Sequence, residues 1–336
     1  MLKKKLCEAV ITWRLKCDGP LLIADGRYEK TKGDKAPHKV FISRTPLRDV
    51  KKKVKEAGGD GAGLGVLDFY VPATSIRGPF RAQAERIIRT LYNGDKPAEA
   101  ACDPFEQDGG SRFRSCGKRL EGKADVYKEA CLACKLFGLA GHASRITFAD
   151  ADVRGTSAFR DMIGIDRFTG GVYTGGGGGG GANMRFHVLE GAEFETKITV
   201  VNFELWQLGL MAYVLKDFED GLVQIGFGKS KGFGAVKGEV RDVKLFYPKE
   251  RCAGRLVGVG SLVEEEERKR YGFVQDDETS EEVLKRNGVG GSLSLYEKFI
   301  PTEPQGFWKA AAAAFNGRMD EMNKKSSDGS GGGGES

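Results

Sequence analysis

Four of the chain's seven cysteines lie close together and carry its clearest chemistry. ACDPFEQDGGSRFRSC supplies Cys102 and Cys116, and EACLACKLFG supplies Cys131 and Cys134. A two-residue gap lets both sulfurs of the second pair face one ion. All four together match a tetrahedral structural Zn2+ site that would cross-link a polar, glycine-containing loop with little else to order it. The alternative is a pair of unrelated thiols beside a redox Cys-x-x-Cys. Cys7, Cys17 and Cys252 read as small core residues.

A second candidate is IGFGKSKGFG, residues 225–234. A nucleotide-binding phosphate loop needs Gly-x-x-x-x-Gly-Lys-Ser/Thr opening a helix. Here Val223 stands where the first glycine belongs, and Gly232 and Gly234 follow instead of a helix. The signature strand of RNA-recognition motifs fits Lys231, Gly232, Phe233, Gly234 and Val236, but Ala235 and Gly238 replace its stacking rings. What survives is a glycine-rich loop with Lys229 and Lys231, whose backbone can approach a polyanion. The plain alternative is a flexible turn.

Other groups are weaker signals. Asp25 in LLIADGRY and Asp34 in KTKGDKAPHKVFISR lie in a long charged segment and, taken alone, read as solvated turn residues. His38, His142 and His187 offer metal-free acid–base chemistry, or are ordinary surface and core residues. In VPATSIRGPFR a helix starts with Thr74 or Ser75 as N-cap. Arg77 and Arg81 share one of its faces, and the dipole and the arginines together favour phosphate.

The elements that hold these groups follow from periodicity. The 336 residues are 40% hydrophobic, enough for a sizeable core, and no window approaches the ~18 apolar residues of a membrane span. The N-terminus lacks a secretory pattern, so a soluble, cytoplasmic protein is expected. A net charge of +6 favours a polyanionic partner. EAVITWRLKC (8–17) alternates as a strand, and VKKKVKEAGGDGAGLG reads as a solvated insertion. Ile76, Phe80, Ala84, Ile87 and Leu91 recur at helical spacing. SRITFADADV (144–153) is a strand, EFETKITVVNFELWQLGLMAYVLKDF a strand entering a helix, and AVKGEVRDVKLFY another strand. Strand–helix–strand given twice predicts an α+β, ferredoxin-like (RNA-recognition-motif-like) core. VEEEERKR reads as a solvated helical face and KKSSDGSGGGGES as a flexible tail.

Taken in order, VPATSIRGPFR, CKLFG with SRITFADA behind it, IGIDRFTGGVYTG and GFGKSKGFGAV resemble the RAMP superfamily, and more narrowly the backbone subunit of type III CRISPR effector complexes. The resemblance covers roughly residues 8 to 247. It implies a modified ferredoxin-like core that binds guide RNA (crRNA), assembles with copies or homologues of itself and other effector subunits, and projects a thumb hairpin that displaces bases. It places a cutting aspartate in the loop after the first strand, at Asp34, with Asp25 second. That carboxylate would cleave the paired target RNA with Mg2+ or Mn2+. The four-cysteine cluster resembles the zinc insertions of some type III branches. The domain reading is 1–247 for the core, with the insertion at about 95–135 and the thumb at about 163–190. Residues 248–325 form a C-terminal extension and 326–336 a flexible tail.

Candidate RNA contacts are Ser75, Arg77, Arg81, Arg145, Arg167, Arg185, Lys229 and Lys231. Two departures from the family pattern stand out. Pro72-Ala73-Thr74-Ser75 replaces Pro-Gly-Ser-Ser, and seven consecutive glycines, 175–181, occupy the thumb tip, leaving any base displacement to Val172, Tyr173 or Met184. A metal-independent precursor-crRNA-processing endoribonuclease using histidine is one alternative, with His38 four residues from Asp34. A non-catalytic RNA-binding scaffold is another.

Overall fold

The structure is a computed structural model that describes all residues except 1–2, 31–35, 58, 104–114, 174–182, 250, 289–293 and 331–336. β1 (Glu8–Cys17) buries every second residue, Ala9, Ile11, Trp13, Leu15 and Cys17, as a strand with one covered face must. α1 (Leu47–Glu56) follows, then β2 (Tyr70–Val71) and α2 (Ala73–Leu91). The cysteine-rich insertion holds four short helices, α3 (Pro97–Ala100), α4 (Cys116–Arg119), α5 (Val126–Glu129) and α6 (Leu132–Phe137). Next come β3 (Ile146–Phe148), β4 (Ala151–Ile163), β5 (Asn183–Val201), α7 (Leu205–Glu219) and β6 (Val236–Pro248). The remainder is β7 (Arg255–Val257), α8 (Val259–Leu262), α9 (Glu265–Tyr271), β8 (Glu278–Glu282), β9 (Leu284–Arg286), β10 (Tyr296–Pro301) and α10 (Pro304–Ser330).

Among the described residues eight strands form one sheet in the order β2-β4-β5-β1-β6-β10-β9, with β3 also on β5. All its paired strands run antiparallel. The architecture is mixed α+β. Trp13 on β1 meets Phe80 of α2 and Phe218 of α7 edge-on, at 5.8 and 4.8 Å between ring centres, so both helices pack on the same sheet face. Gly238 on the neighbouring strand makes room, since a Cβ there would stand 2.6 Å from the Trp13 indole nitrogen.

α7 opens with a capping box between Glu204 and Gln207 and is buried around most of its circumference, because α10 covers its far side. Gly209 allows this: a Cβ would lie 2.1 Å from the Ala311 carbonyl oxygen.

Several sequence expectations need correction. The stretch read as a solvated insertion forms α1, which buries Val50 and Val54. α2 starts after Pro72 with no side-chain cap, and its first amide donates to Asp150, not to Thr74 or Ser75. Its buried stripe is Ile76, Phe80, Ala84 and Ile88, while Ile87 is only half-buried and Leu91 is 41% exposed. Of the expected unfolded tail, residues up to Ser330 belong to α10. The C-terminal stretch does not stand apart either, since β10 and β9 extend the main sheet beyond β6.

Candidate nucleic-acid interface

Two helix starts and a loop bring the four cysteines together. Cys116 begins α4, Cys131 caps α6, Cys134 lies one turn further, and Cys102 leaves α3. All four are buried, and their sulfurs lie within 4.8 Å of one another. The backbone amides of Cys102, Cys116, Cys131 and Cys134 point at sulfurs of this group at 3.4 Å, and Arg81 and Arg119 approach Cys134 and Cys116 at 3.7 and 3.6 Å. Donors aimed at sulfur from several sides favour the thiolate form. Hydrogen bonds from Cys102, then Cys131 and Cys134, hold Cys116 well below the ordinary thiol range. Contacts with Cys102, then Cys116 and Cys131, push Cys134 up, because a second thiolate would meet the first. A dication would ionise the whole set, so the donor chemistry fits Zn2+.

The second constellation is a corner where three segments meet around Phe186. Near the loop end of the β4–β5 hairpin, the backbone amide of His38 donates to the Arg185 carbonyl at 2.7 Å and that of His187 to the Lys39 carbonyl at 3.0 Å. Residues 38–39 therefore run beside the start of β5. The glycine-rich loop joins from the other side. Phe227 and Phe233 stand 5.5 and 6.1 Å from the Phe186 ring, and the Lys231 ammonium lies over that ring at 5.5 Å.

The loop is a shaped turn. Gly226, Gly228, Gly232 and Gly234 all have φ near +80°, and a Cβ on Gly234 would fall 1.9 Å from the Ile225 carbonyl oxygen. The result is an exposed 3-10 turn carrying Lys229 and Lys231. Phe233 is buried, so the ring of the motif-like KGFG packs inside instead of stacking on bases. The uncovered face of β1, from Glu8 through Val10, Thr12 and Arg14 to Lys16, carries no aromatic ring, and Arg14 is paired with Glu193.

The remaining candidates divide. Asp34 lies outside the described residues. Asp25 is a correction: its side chain is 1% exposed, and Arg27 closes on both oxygens while the Arg27 amide donates as well. Burial pushes its pKa up, the Arg27 bonds pull it down, and the net shift is downward. It is a fastened structural carboxylate.

Ser75 is half-buried in the first turn of α2. Arg77 donates to the Phe137 carbonyl at 2.5 Å, and Arg81 binds Glu85 at 2.7 Å and reaches Cys134. Both tie α2 to the cysteine insertion instead of offering free cations. Arg145 is 3% exposed, donates to the Asn202 carbonyl, and stacks 4.2 Å from Tyr127 and 5.2 Å from Phe273, out of reach of an external phosphate.

Arg185 forms a two-point ion pair with Asp161, both contacts at 2.8 Å. Arg167 is exposed near the end of the hairpin. His187 is buried between Ser157 and the Phe41 amide, and burial pushes its pKa down to about 4. His142 packs beside Tyr127, and His38 is half-buried in the Phe186 corner.

One feature escaped sequence reasoning. Around the far end of the β4–β5 hairpin stand exposed apolar side chains: Ile163 at 56%, Ile165 at 69% and Phe168 at 101% exposure, beside the expected Val172, Tyr173 and Met184. IGIDRF contains these residues in plain view, but only the hairpin shows that no other described residue buries them. A cluster of this kind on a water-facing projection marks a contact surface.

The described residues form a mixed α+β fold built on an antiparallel sheet, with a four-cysteine insertion and a basic glycine loop. The chain belongs to the RAMP superfamily, whose family profile matches residues 14–237. This membership makes it a CRISPR-associated RNA-binding subunit. No curated protein matches the chain. Among the described residues no helix is long and apolar enough to cross a membrane.

Proposed function

We propose that the chain is a crRNA-binding backbone subunit of a type III CRISPR complex, working in the cytoplasm, which cuts complementary target RNA through Asp34. The core, residues 1–247, is read as a modified ferredoxin-like fold, the insertion at about 95–135 as a zinc knuckle, the hairpin at about 163–190 as the thumb, and residues 248–325 as an extension. One observation carries the reading. The segment holding Asp34 is flanked by Lys30 and His38, whose side chains approach to 3.4 Å, and His38 is bonded to β5 near the loop end of the hairpin, in the corner shared with the lysine-bearing glycine loop. The cationic loop and the hairpin thus meet beside the residues that flank Asp34 in the chain. Lys229, Lys231, Arg167 and Arg185 are the RNA contacts of this reading, and copies or homologues of the chain and other effector subunits its protein partners.

Cleavage is expected to need Mg2+ or Mn2+, which supplies positive charge at the scissile phosphate. Asp34, or water held near it, would assist removal of the adjacent 2′-hydroxyl proton.

The test is co-expression with the neighbouring subunits, extraction of bound RNA, and incubation of the complex with labelled complementary RNA with and without EDTA. A discrete short guide and EDTA-sensitive cutting that Asp34→Ala abolishes support the reading. Guide binding without cutting leaves a scaffold, and loss of a bound guide removes the proposal. The histidine reading narrows to His38 and His142, because His187 is sealed in the core. EDTA-resistant cutting lost in His38→Ala would favour it.

A further inference from the structure

α1 divides its residues by sign as well as by burial. Val50 and Val54 are 1% and 6% exposed and Leu47 packs against the same core, so one side of the helix faces inward. On the opposite side stand Arg48, Lys51, Lys52 and Lys55, all exposed, at the i, i+3, i+4 and i+7 spacing that aligns side chains along a helix. The carboxylates of α1 lie to one flank, where Asp49 reaches Arg48 at 3.5 Å and Glu56 reaches Lys52 and Lys53 at 4.0 and 3.6 Å. Among the described residues Lys51 and Lys55 have no carboxylate partner.

The stripe works against the helix that carries it. Like charges three and four residues apart weaken a helix, and Arg48–Lys51, Arg48–Lys52, Lys51–Lys55 and Lys52–Lys55 are all such pairs. The helix dipole favours Lys55 in the last turn but disfavours Arg48 in the first. The stripe is also held in place. α1 packs on the 3-10 turn Ala62–Val66, and the chain entering that turn is tied to β4: the Asp60 carbonyl accepts from the Phe159 amide at 2.7 Å and the Gly61 carbonyl from the Ser157 hydroxyl at 2.8 Å. The same strand carries the exposed Arg154 and Arg160, the latter paired with Glu190.

We propose that α1 is an RNA-binding face that holds the phosphate backbone through Arg48, Lys51, Lys52 and Lys55 without reading bases. Protein contact surfaces are poor in lysine and have an apolar centre, and a membrane-surface helix turns its apolar side to the lipid, whereas the apolar side of α1 is buried in the fold. A polyanion needs no apolar contact, because charge and counterion release hold it. The stripe carries no aromatic ring or amide side chain that could recognise a base. The proposal rests on the chain being an RNA-binding subunit and not on where or whether a target is cut.

The probe is a labelled oligouridylate, which carries no guide sequence, titrated with the purified chain at a series of salt concentrations. Glutamine at Arg48, Lys51, Lys52 and Lys55 together removes the stripe and keeps a good helix former at each position. A control removes the same charge elsewhere, with glutamine at Lys128, Lys309, Lys324 and Lys325, all exposed on α5 and α10. The stripe variant melts at or above the wild-type temperature, and its slope of log affinity against log salt falls by up to about 3, at roughly 0.7 per lost contact. The control shifts the slope by less than one contact. Arginine at the three lysines retains the wild-type slope, because phosphate is neutralised by either cation. Lysine acetylation of the unmutated chain gives a second readout that needs no variant to fold: RNA protects Lys51, Lys52 and Lys55 and leaves Lys309 and Lys324 as reactive as before.

A wild-type slope in the folded stripe variant, an equal fall in stripe variant and control, or equal acetylation of α1 with and without RNA each overturn the proposal. Protection of the same lysines in the assembled complex after ribonuclease treatment, with none given by RNA alone, overturns it in favour of an acidic protein surface. A wild type that fails to bind the oligouridylate at any salt removes the RNA-binding reading and the proposal with it, a result distinct from a wild type that binds and a stripe variant that binds equally.

Discussion

The Tyr127 hydroxyl donates to the Glu204 carboxylate at 2.6 Å, joining the cysteine insertion to the first turn of α7 inside the core. Gln207 also donates to that hydroxyl at 3.2 Å, and the other Glu204 oxygen accepts from the Val274 amide at 2.9 Å. Three parts of the chain that are distant in sequence thus share one carboxylate. Tyr127→Phe removes a donor from a buried charge, which should cost about 1–3 kcal/mol of stability. Denaturant titration checks this, and RNA affinity of the folded protein should not change. A stability loss within error would mean that the bond contributes nothing.

Asp277 sits beside this network, accepting from the Leu205 and Gly260 amides. Burial first, then the nearby Glu204 charge, push its pKa up to about 8 from 3.8. A carboxyl whose folded value lies above its unfolded value favours the fold fully at low pH, and this contribution is lost as pH rises through the folded value. His187 has the opposite sign. Lowered from 6.5 to about 4, it favours the fold above 6.5 and loses that contribution as pH falls toward 4. The two slopes oppose each other between about pH 4 and 6.5, and between 6.5 and 8 the Cys116 thiolate, held below the ordinary thiol range, opposes Asp277 in turn. Asp277→Asn should remove a contribution that falls by at most about 1.4 kcal/mol per pH unit, so across pH 6.5 to 8 the stability of the variant should rise with pH relative to that of the wild type, as thermal melts at a series of pH values would show.

The glycine-rich loop separates a folding role from a binding role. Gly234→Val should unfold the loop, because its Cβ would meet a carbonyl oxygen of Ile225. Gly232 has open space around its Cβ site and φ of +81°, so Gly232→Ala should cost only about 1–2 kcal/mol of backbone strain. Replacing Lys229 and Lys231 by alanine should leave stability intact and lower the salt slope of RNA binding by roughly 0.7 per lost phosphate contact. An unchanged slope in a folded double mutant would make the loop a turn and nothing more.

What could be read without coordinates was whatever is encoded by spacing along one chain. The cysteine pattern, the alternation of β1 and the Ile76-Phe80-Ala84 stripe are local codes, and the structure contains all three. Arg77, Arg81 and Arg145 were legible as cations but not as structural ties. Their partners, the carbonyls of Phe137 and Asn202 and the sulfur of Cys134, are brought to them only by the fold. The same holds for Asp25, whose partner Arg27 is two residues away but whose burial under it is a tertiary event. β9 and β10 escaped notice because short, charged strands gain their order from pairing at the sheet edge more than from a hydrophobic period.

The two loop aspartates should now behave in opposite ways. Asp25→Ala strips Arg27 of a buried partner and leaves the loop backbone without its acceptor, so it should destabilise the fold by roughly 3–5 kcal/mol, a figure to be reduced because the arginine is half exposed. Asp34→Ala should leave the melting temperature and guide content unchanged and remove cutting. Comparing melts with cleavage for both variants decides the matter, and equal stability of Asp25→Ala and wild type would contradict the structural role given to Asp25.

Phe168 offers the cleanest separation of function from folding. Its side chain is fully exposed at 101%, so truncating it removes no buried surface from the monomer. Phe168→Ala should melt like the wild type. If the hairpin displaces bases, an apolar ring at its end wedges between stacked nucleotides, and losing such a contact costs about 1–3 kcal/mol per base. RNA affinity should then fall by roughly 5- to 150-fold with the salt slope unchanged, because no phosphate contact is lost. In the assembled complex the spacing of cuts along the target should also blur. Wild-type affinity and wild-type cutting in Phe168→Ala would show that the exposed cluster serves some contact other than RNA, and a changed salt slope would show that the end of the hairpin acts on phosphates instead of bases.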